Sequence, residues 1–220
     1  MSERATRFER VLAYPDGQST VARCAMTATR LGFDGLVVIN ALDRPAEPTL
    51  ESISETYGIE LATGVELHPN EPDDASGRLP HLREQVDILA VAGGNTQLNR
   101  FVATQRHVDV LTQPIRPGSS FIEAGTIKHA IEYDVAIELD LSPLRQRGGK
   151  RVRYLQQLTH LWRVIDHYGA SYVVTMRPAC HLDFRDVRSM CALGDAIGIE
   201  ADATEHGIGT WGRLINSHWR

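Results

Sequence analysis

The sequence is poor in lysine, in cysteine and in long apolar runs. Of its 23 basic residues only Lys128 and Lys150 are lysines, so arginine carries nearly all of the positive charge. The three cysteines lie in neither a CxxC nor a zinc-like spacing, which indicates a reduced, cytoplasmic chain with small buried thiols. No apolar run approaches the roughly 18 residues of a membrane span, and the first residues contain no signal-peptide core. We therefore expect no membrane partner.

Several catalytic motifs are also missing. There is no GxGxxG after a predicted strand, no GxSxG nucleophile elbow, and no HxH or HExxH among the nine histidines. Cys180 and His181 are neighbours along the chain, which alone does not make a catalytic dyad, and a structural cysteine is the simpler interpretation. The net charge of −5 argues mildly against nucleic-acid binding through overall charge. We assign no catalytic residue, no bound metal and no cofactor to this chain.

A short pattern, one aspartate followed by apolar residues, recurs along the chain. The stretch 86-VDILA-90 is followed by 108-VDVLT-112, and similar runs begin at residues 34 and 134. These runs do not alternate with polar residues, which is typical of parallel strands covered on both faces. We interpret the near-identical pair as two adjacent strands, each with its aspartate at the turn that precedes it.

Stretches in which apolar residues recur at the spacing of an α-helix separate the predicted strands. One helix begins after Ser19, the expected N-cap, and ends at Gly32, while another buries the stripe Leu155, Leu158, Leu161, Trp162 and Ile165. With 8–14, 59–67, 171–176 and 197–203, about eight strand candidates result. The fold class is therefore α/β, a TIM-like (β/α) barrel, whose irregular or incomplete parts we expect at the termini. An open doubly wound sheet is the alternative. We predict one domain over 1–220, with 204–220 as a C-terminal helical tail.

The carboxyl ends of barrel strands carry function, so the residues that follow the predicted strands are candidates. They are Tyr14–Gly17, Asn40, Glu66–His68, Gly93–Asn95, Gln113–Arg116, Asp140, Arg177 and Asp202. The stretch 64-GVELH-68 resembles the third-strand motif of the PHP phosphoesterases, in which a glutamate and a histidine could ligate a divalent metal. The first strand lacks the His-x-His pair of that family, so a surface or hydrogen-bonded residue is the simpler interpretation of His68. What the resemblance implies is a barrel of PHP-like type.

The segment 145-RQRGGKRVR-153 is the most basic part of the chain. It holds five of the 23 basic residues and no acidic one, which leaves 18 basic against 28 acidic residues elsewhere. Arginines beside two glycines can fan out and make forked contacts with phosphates. A solvated loop is the alternative interpretation.

The block 135-VAIELDLSPLRQRGGKRVRYLQQLTHLWRVIDHYGASYVVTMRPA-179 resembles the central signature of the archaeal and eukaryotic RNase P protein component 3 family. Further matches are 32-GFDGLVV-38, 64-GVEL-67, the paired strands and the Asn-Arg between them in 87–114, and 184-FRDVRSMCALGDAIG-198. Met176-Arg177 departs from the usual Ser and small residue, the first strand lacks the Asp-x-x that members often carry, and we place no motif of the family in 204–220.

This resemblance implies a non-catalytic protein subunit of ribonuclease P, the endoribonuclease that removes the 5′ leader of precursor tRNA. The RNA subunit would perform the reaction with divalent metal ions, of which magnesium is the expected one. This chain would pair with a component 2-type protein and would meet precursor tRNA indirectly. Expected RNA-binding residues are Arg145, Arg147, Lys150, Arg151, Arg153, Arg100, Lys128, Arg185 and Arg188. The alternatives are a metal phosphoesterase built on Glu66 and His68, and a protein-assembly scaffold without RNA contact.

Overall fold

A computed structural model describes residues 6–40, 50–116, 121–145 and 149–217. Within these residues the strands are β1 Phe8–Val11, β2 Gly35–Asn40, β3 Glu60–Leu67, β4 Ile88–Ala92, β5 Val110–Thr112, β6 Ala136–Asp140 and β7 Tyr172–Thr175. The helices are α1 Val21–Arg30, α2 Leu50–Tyr57, α3 Asp73–Ser76, α4 Leu79–Arg83, α5 Thr96–Val102, α6 Ala124–Glu132, α7 Gly149–Tyr168, α8 Val187–Asp195 and α9 Ala201–Ser217. Two 3-10 turns cover Ser142–Arg145 and His181–Asp183. No helix in these ranges is long and apolar enough to cross a membrane.

The strands form one parallel sheet in the order of the chain, from β1 to β7, which curls into a nearly closed barrel. The predicted barrel fold is confirmed, and the two copies of the repeated motif are the adjacent strands β4 and β5. The eighth strand, predicted over 197–203, was wrong. Gly198 takes a positive φ of 85° that turns the chain, and α9 begins at Ala201. Its side chains Thr204, Ile208, Trp211 and Ile215 are buried at helical spacing.

The aspartates of the recurring motif connect neighbouring strands. Asp87 accepts hydrogen bonds from the backbone N–H of Thr63 (2.7 Å) and from its hydroxyl (2.8 Å). Asp109 likewise accepts from the N–H of Leu89 at 2.6 Å. Each carboxylate thus pairs a backbone donor that lies one residue before the ladder to the next strand begins, at Gly64 in β3 and at Ala90 in β4. The repeat fixes the relative position of adjacent strands.

The barrel interior has an apolar lower half, which α9 fills from below. Inward residues of the strands, such as Phe8 and Ile88, pack with Trp211 and Ile215 in one cluster. The indole N–H of Trp211 donates to the carbonyl of Val174 at 3.2 Å, so the largest buried side chain is also hydrogen-bonded. Outward residues of the strands form the second, larger cluster under the helices. The amino end of the barrel is therefore closed.

Side chains hold β1 beside β7, where the described residues contain no strand ladder. The buried carboxyl of Glu9 accepts from the N–H of Met176 at 3.0 Å and from the hydroxyl of Thr175. Desolvation of this carboxyl outweighs its hydrogen bonds and raises the pKa of Glu9 to about 8. We call this boundary between β1 and β7 the seam.

The loops above the seam are joined as well. The N–H of Gln18 donates to the carbonyl of Ala179 at 2.7 Å, and Ser19 Oγ lies 2.9 Å from His181 Nδ1. Ser19 is thus a contact across the seam. The predicted N-cap was wrong by one residue, because the side chain of Thr20 accepts from the first turn of α1.

Candidate functional site

The carboxyl end of the barrel contains a layer of charged side chains that face one another. Glu66, Asp140 and Arg177 were predicted at this rim from the ends of their strands. The structure brings them together with Arg10 and Glu138, which point inward from β1 and β6. We call these five residues the charged layer. Asp202, also predicted at this rim, lies at the opposite end, because the neighbouring Ala203 accepts a hydrogen bond from Tyr172 at the start of β7.

Two guanidinium groups are held between two glutamates in this layer. Arg10 donates to Glu66 Oε1 (3.1 Å), Glu66 Oε2 (3.0 Å) and Glu138 Oε1 (3.0 Å). Arg177 donates to both oxygens of Glu66 at 3.1 Å and to both oxygens of Glu138 at 3.0 and 2.9 Å. Thr112 adds a hydroxyl donor to Glu66 at 2.5 Å. Both carboxylates are therefore saturated with protein donors.

The backbone at Arg177 adopts a conformation that places its side chain in the layer. Its φ of 45° lies in the left-handed region, which is uncommon for a residue with a β-carbon. The Thr175 hydroxyl accepts from the Arg177 N–H at 2.8 Å and helps to hold this turn. The chain thus leaves β7 with the guanidinium directed back over the barrel axis toward Glu66.

The electrostatics of the layer follow from burial and charge together. Burial opposes ionisation of Glu66, but the charges of Arg10 and Arg177 and a hydrogen bond from His68 outweigh it and hold the pKa of Glu66 well below its ordinary value. Burial and the nearby Glu138 charge raise the pKa of Asp140 to about 6, although Arg177 opposes the shift. Burial acts to lower the pKa of Arg177, yet the surrounding carboxylates raise it overall. Both guanidinium groups thus serve as internal counter-ions.

A cavity of about 310 Å³ opens above the charged layer at the barrel mouth. His68, more than half exposed, is at its edge, with Nε2 3.2 Å from Glu66 Oε2. The two candidate metal ligands of the phosphoesterase interpretation are therefore in contact, but Glu66 is occupied by arginine. No group of three or more His, Cys, Asp or Glu side chains in the described ranges is arranged to hold a metal ion.

Sequence reasoning missed Arg10, Glu138 and Glu9. A signal was available: each is a charged residue inside a short apolar strand, where burial without a partner would cost several kcal/mol. Glu9 and Arg10 are consecutive, which in a strand directs one outward and one inward. Their partners could not be identified from sequence, because those lie on strands more than 50 residues away.

The predicted RNA-binding residues fall into separate groups. Arg145, Arg151, Arg153, Arg185 and Arg188 lie around the loops and helix starts that follow β6 and β7, and we call them the basic rim. Arg151 and Arg153 are exposed in the first turns of α7. Arg147 and the side chain of Lys150 are outside the described residues.

Two members of the basic rim already have protein partners. Arg145 forms an ion pair with Asp183 (2.6 Å) in which both side chains are about one-third exposed. Arg185 donates to the carbonyls of Leu182 (3.1 Å) and Phe184 (2.6 Å) and so supports the turn before α8. These contacts hold both guanidinium groups beside the turn that follows β7.

Arg100 and Lys128 do not join the basic rim. Lys128 on α6 lies with its Nζ 5.1 Å from the ring centre of Tyr168, the last residue of α7. At 1.5 Å per residue, Tyr168 is roughly 25 Å along α7 from Arg151. Arg100 is exposed on α5, separated from α7 by α6. Any contact of these two with RNA involves a different surface.

Residues 7–219 match the protein family described as RNase P subunit p30. Ribonuclease P protein component 3 of Haloarcula marismortui is 38% identical over 209 residues, covering 94% of this chain and 88% of that protein. The corresponding protein of Natronomonas pharaonis is 36% identical over 214 residues, covering 97% and 89%.

Solved structures share the fold. A chain in the cryo-EM structure of archaeal ribonuclease P with mature tRNA superposes with a TM-score of 0.80 at 17% identity, covering 96% of this chain and 90% of that one. The organophosphorus hydrolase of Deinococcus radiodurans superposes with a TM-score of 0.55 at 13% identity, covering 96% and 93%. At these identities the likeness shows a common barrel.

Proposed function

This chain belongs to the RNase P subunit p30 family, and we propose that within ribonuclease P it is a non-catalytic subunit that binds and stabilises the catalytic RNA. The RNA performs the cleavage of precursor tRNA with divalent metal ions, magnesium being the expected one, and this chain holds no cofactor of its own. Its protein partner is a component 2-type subunit, it meets precursor tRNA indirectly, and it acts in the cytoplasm.

One observation carries the non-catalytic role: the charged layer is neutralised by its own arginines. Active sites of (β/α) barrels lie at this end of the strands. Here Glu66 and Glu138 each accept from both Arg10 and Arg177, so no carboxylate of that pair retains a free position for a metal ion or a reacting water. A general base with a pKa held low by two guanidinium groups is also a weak one.

The basic rim, together with the segment 145–153, supports RNA contact. Its arginines lie on an otherwise acidic chain, so phosphates are attracted to this side. Guanidinium groups grip phosphates in a bidentate manner without reading the base sequence, which suits a protein that positions a folded RNA. Arg151 and Arg153 also stand in the first turns of α7, where the helix dipole adds to their positive potential.

Reconstitution tests the proposal. We expect the rate of 5′-leader removal by the cognate RNA and proteins to rise when this chain is added, at sub-saturating magnesium. The double variant R151A/R153A should bind ribonuclease P RNA more weakly and reduce the slope of log affinity against log salt by about 1.5 to 2. Adding R147A and K150A should extend the loss. The matched control R30A/R106A removes two exposed arginines at the amino end of the barrel, Arg30 as the last residue of α1 and Arg106 after the end of α5, and should leave the slope unchanged.

Two results would contradict the proposal. Hydrolysis of phosphodiesters by the purified chain with added manganese or zinc, in the absence of RNA, would favour the phosphoesterase built on Glu66 and His68. A stable complex with the protein partner together with a salt slope that is identical for wild type and R151A/R153A would favour a scaffold without RNA contact.

A further inference from the structure

A groove on the outer face of α7 has the shape of a docking site. It encloses about 480 Å³ and lies away from the charged layer and the barrel mouth. Val152, Leu155, Thr159 and Arg163 form its floor at steps of three or four residues, so that one stripe of the helix faces it. This stripe covers 11 residue steps, or about 16 Å. We call this feature the α7 groove.

Two walls border the floor of the α7 groove. On one side the ring of Phe121 packs edge-to-face on His160, with 4.9 Å between ring centres. On the other side the turn between α8 and α9 approaches the helix, and Thr159 Oγ1 donates to the carbonyl of Ile197 at 3.4 Å. Both walls are thus fixed to α7 itself, so that the groove exists before anything binds in it.

The α7 groove exposes apolar side chains to solvent. Phe121 is 53% exposed and Val152 is 57% exposed, and they are two of the five large apolar side chains exposed in the described part of the chain. Contiguous exposed apolar surface bordered by polar residues is typical of interaction sites. A helix laid in such a groove would bury these side chains with its own apolar residues at positions i, i+3, i+4 and i+7.

The charges around the α7 groove indicate which kind of helix would fit into it. Of the acidic residues in the described ranges, none lines this groove. Exposed cations stand at both ends, with Arg151 and Arg153 at the start of α7 and Arg163 at the far end of the stripe. An apolar helix with carboxylates at its two ends complements this pattern. Phosphodiester RNA does not, because its charges would line an apolar floor that offers a single guanidinium.

We propose that the α7 groove receives an amphipathic helix, apolar along three turns and acidic at both ends, from the component 2-type protein subunit. This inference rests on the proposed function, which supplies the partner, and it adds the surface and the chemistry of recognition. Val152 lies between Arg151 and Arg153, so the docked helix ends beside the arginines of the basic rim. The partner would therefore form part of the same RNA-facing surface.

The test uses a variant that leaves the charge of the chain unchanged. Phe121→Ser with Val152→Ser removes apolar surface from the α7 groove at two side chains that are already more than half exposed. The matched control, Ile131→Ser with Leu182→Ser, removes apolar side chains that are 44% and 73% exposed elsewhere. Isothermal titration with the purified component 2-type subunit of the same organism gives the Kd of each, and filter binding gives the affinity for ribonuclease P RNA.

We expect the groove variant to bind the protein subunit about 30-fold more weakly, as loss of two half-exposed apolar side chains predicts, and the control to bind within twofold of wild type. The groove variant should keep the RNA affinity of the isolated chain within twofold. Arg163→Glu, which repels an acidic helix, should also weaken the protein complex and reduce its dependence on salt.

An unchanged Kd in the groove variant, or absence of binding by the wild type, would overturn the proposal. So would a groove variant that loses RNA affinity, which would make the groove an RNA site, or one that converts a dimer of this chain to monomers. Failure of the proposed function looks different, because then the wild-type chain does not bind the RNA and does not stimulate tRNA processing, whatever the state of the protein complex.

Discussion

Replacing Arg10 by methionine removes the most deeply buried cation of the charged layer. Its side chain is 2% exposed and donates three hydrogen bonds of 3.0 to 3.1 Å to Glu66 and Glu138. The variant leaves Arg177 alone against two buried glutamates. Removal of one partner from a buried ion pair costs about 3–5 kcal/mol, because an uncompensated charge remains. We expect a decrease of that size in the free energy of unfolding at pH 7, out of a total of about 5–15 kcal/mol for a domain.

The pH dependence tests the cause of this loss. In the wild type the pKa of Glu66 is held below its ordinary value of 4.5, so its contribution to stability is present above that pH and is lost as pH falls through the lower folded-state pKa. In Arg10→Met the Glu66 carboxylate is protonated more easily than in the wild type, because one of its two guanidinium partners is gone. The difference between variant and wild type should therefore be largest near pH 7 and should shrink toward pH 4.

Equilibrium unfolding in urea, followed by tryptophan fluorescence at several pH values, measures both effects. Arg7→Met is the control, since the Arg7–Glu205 pair (3.0 Å) has side chains 25% and 48% exposed and should contribute less than about 1 kcal/mol. A loss below about 1 kcal/mol in Arg10→Met, or a loss that does not change between pH 7 and pH 4, would refute the account of the charged layer.

Two further changes test the seam and the closed end of the barrel. Glu9→Gln should gain stability relative to wild type as pH rises from 5 to 8, by up to about 1.4 kcal/mol per pH unit. The reason is that a carboxyl whose pKa is raised to about 8 loses its contribution to stability over that range, whereas an amide does not. A stability difference between the two proteins that does not change across this range would contradict the account. Trp211→Ala should cost about 3–5 kcal/mol through a cavity among the lower barrel residues, measured by denaturant unfolding, and Trp162→Ala at a partly exposed site should cost less.

The barrel could be predicted from the sequence because each strand is recognisable from its own residues. An aspartate before an apolar run gives both the start of a strand and, through bonds such as Asp87 to Thr63, its alignment with the neighbour. The prediction of an eighth strand was wrong because local residues did not suffice there. The run 197–203 has the apolar content of a strand, but the deciding information is the helical stripe from Thr204 to Ile215, whose Trp211 and Ile215 belong to the same cluster as Phe8 near the other end of the sequence.

The candidate site was predictable only in part. Glu66, Asp140 and Arg177 follow from the rule that barrel strands end at the functional face, whereas the pairing of Arg10 with Glu66 and Glu138 depends on which inward residues reach the same level of the barrel. Composition identified the basic segment, but it could not separate Lys128 from the basic rim, because that distance is set by the length of α7. The roles of these residues in RNA binding stay predictions.

The seam affects the order in which the parts of the barrel can fold. From β1 to β7 each strand pairs with the next one made, so most of the sheet can assemble while the chain is being synthesised. The Glu9 contacts with Thr175 and Met176, and Arg7 with Glu205, join residues more than 160 positions apart. The first strand must therefore wait for nearly the whole polypeptide before its free side is covered, and nascent chains halted earlier would keep that edge open to other partners.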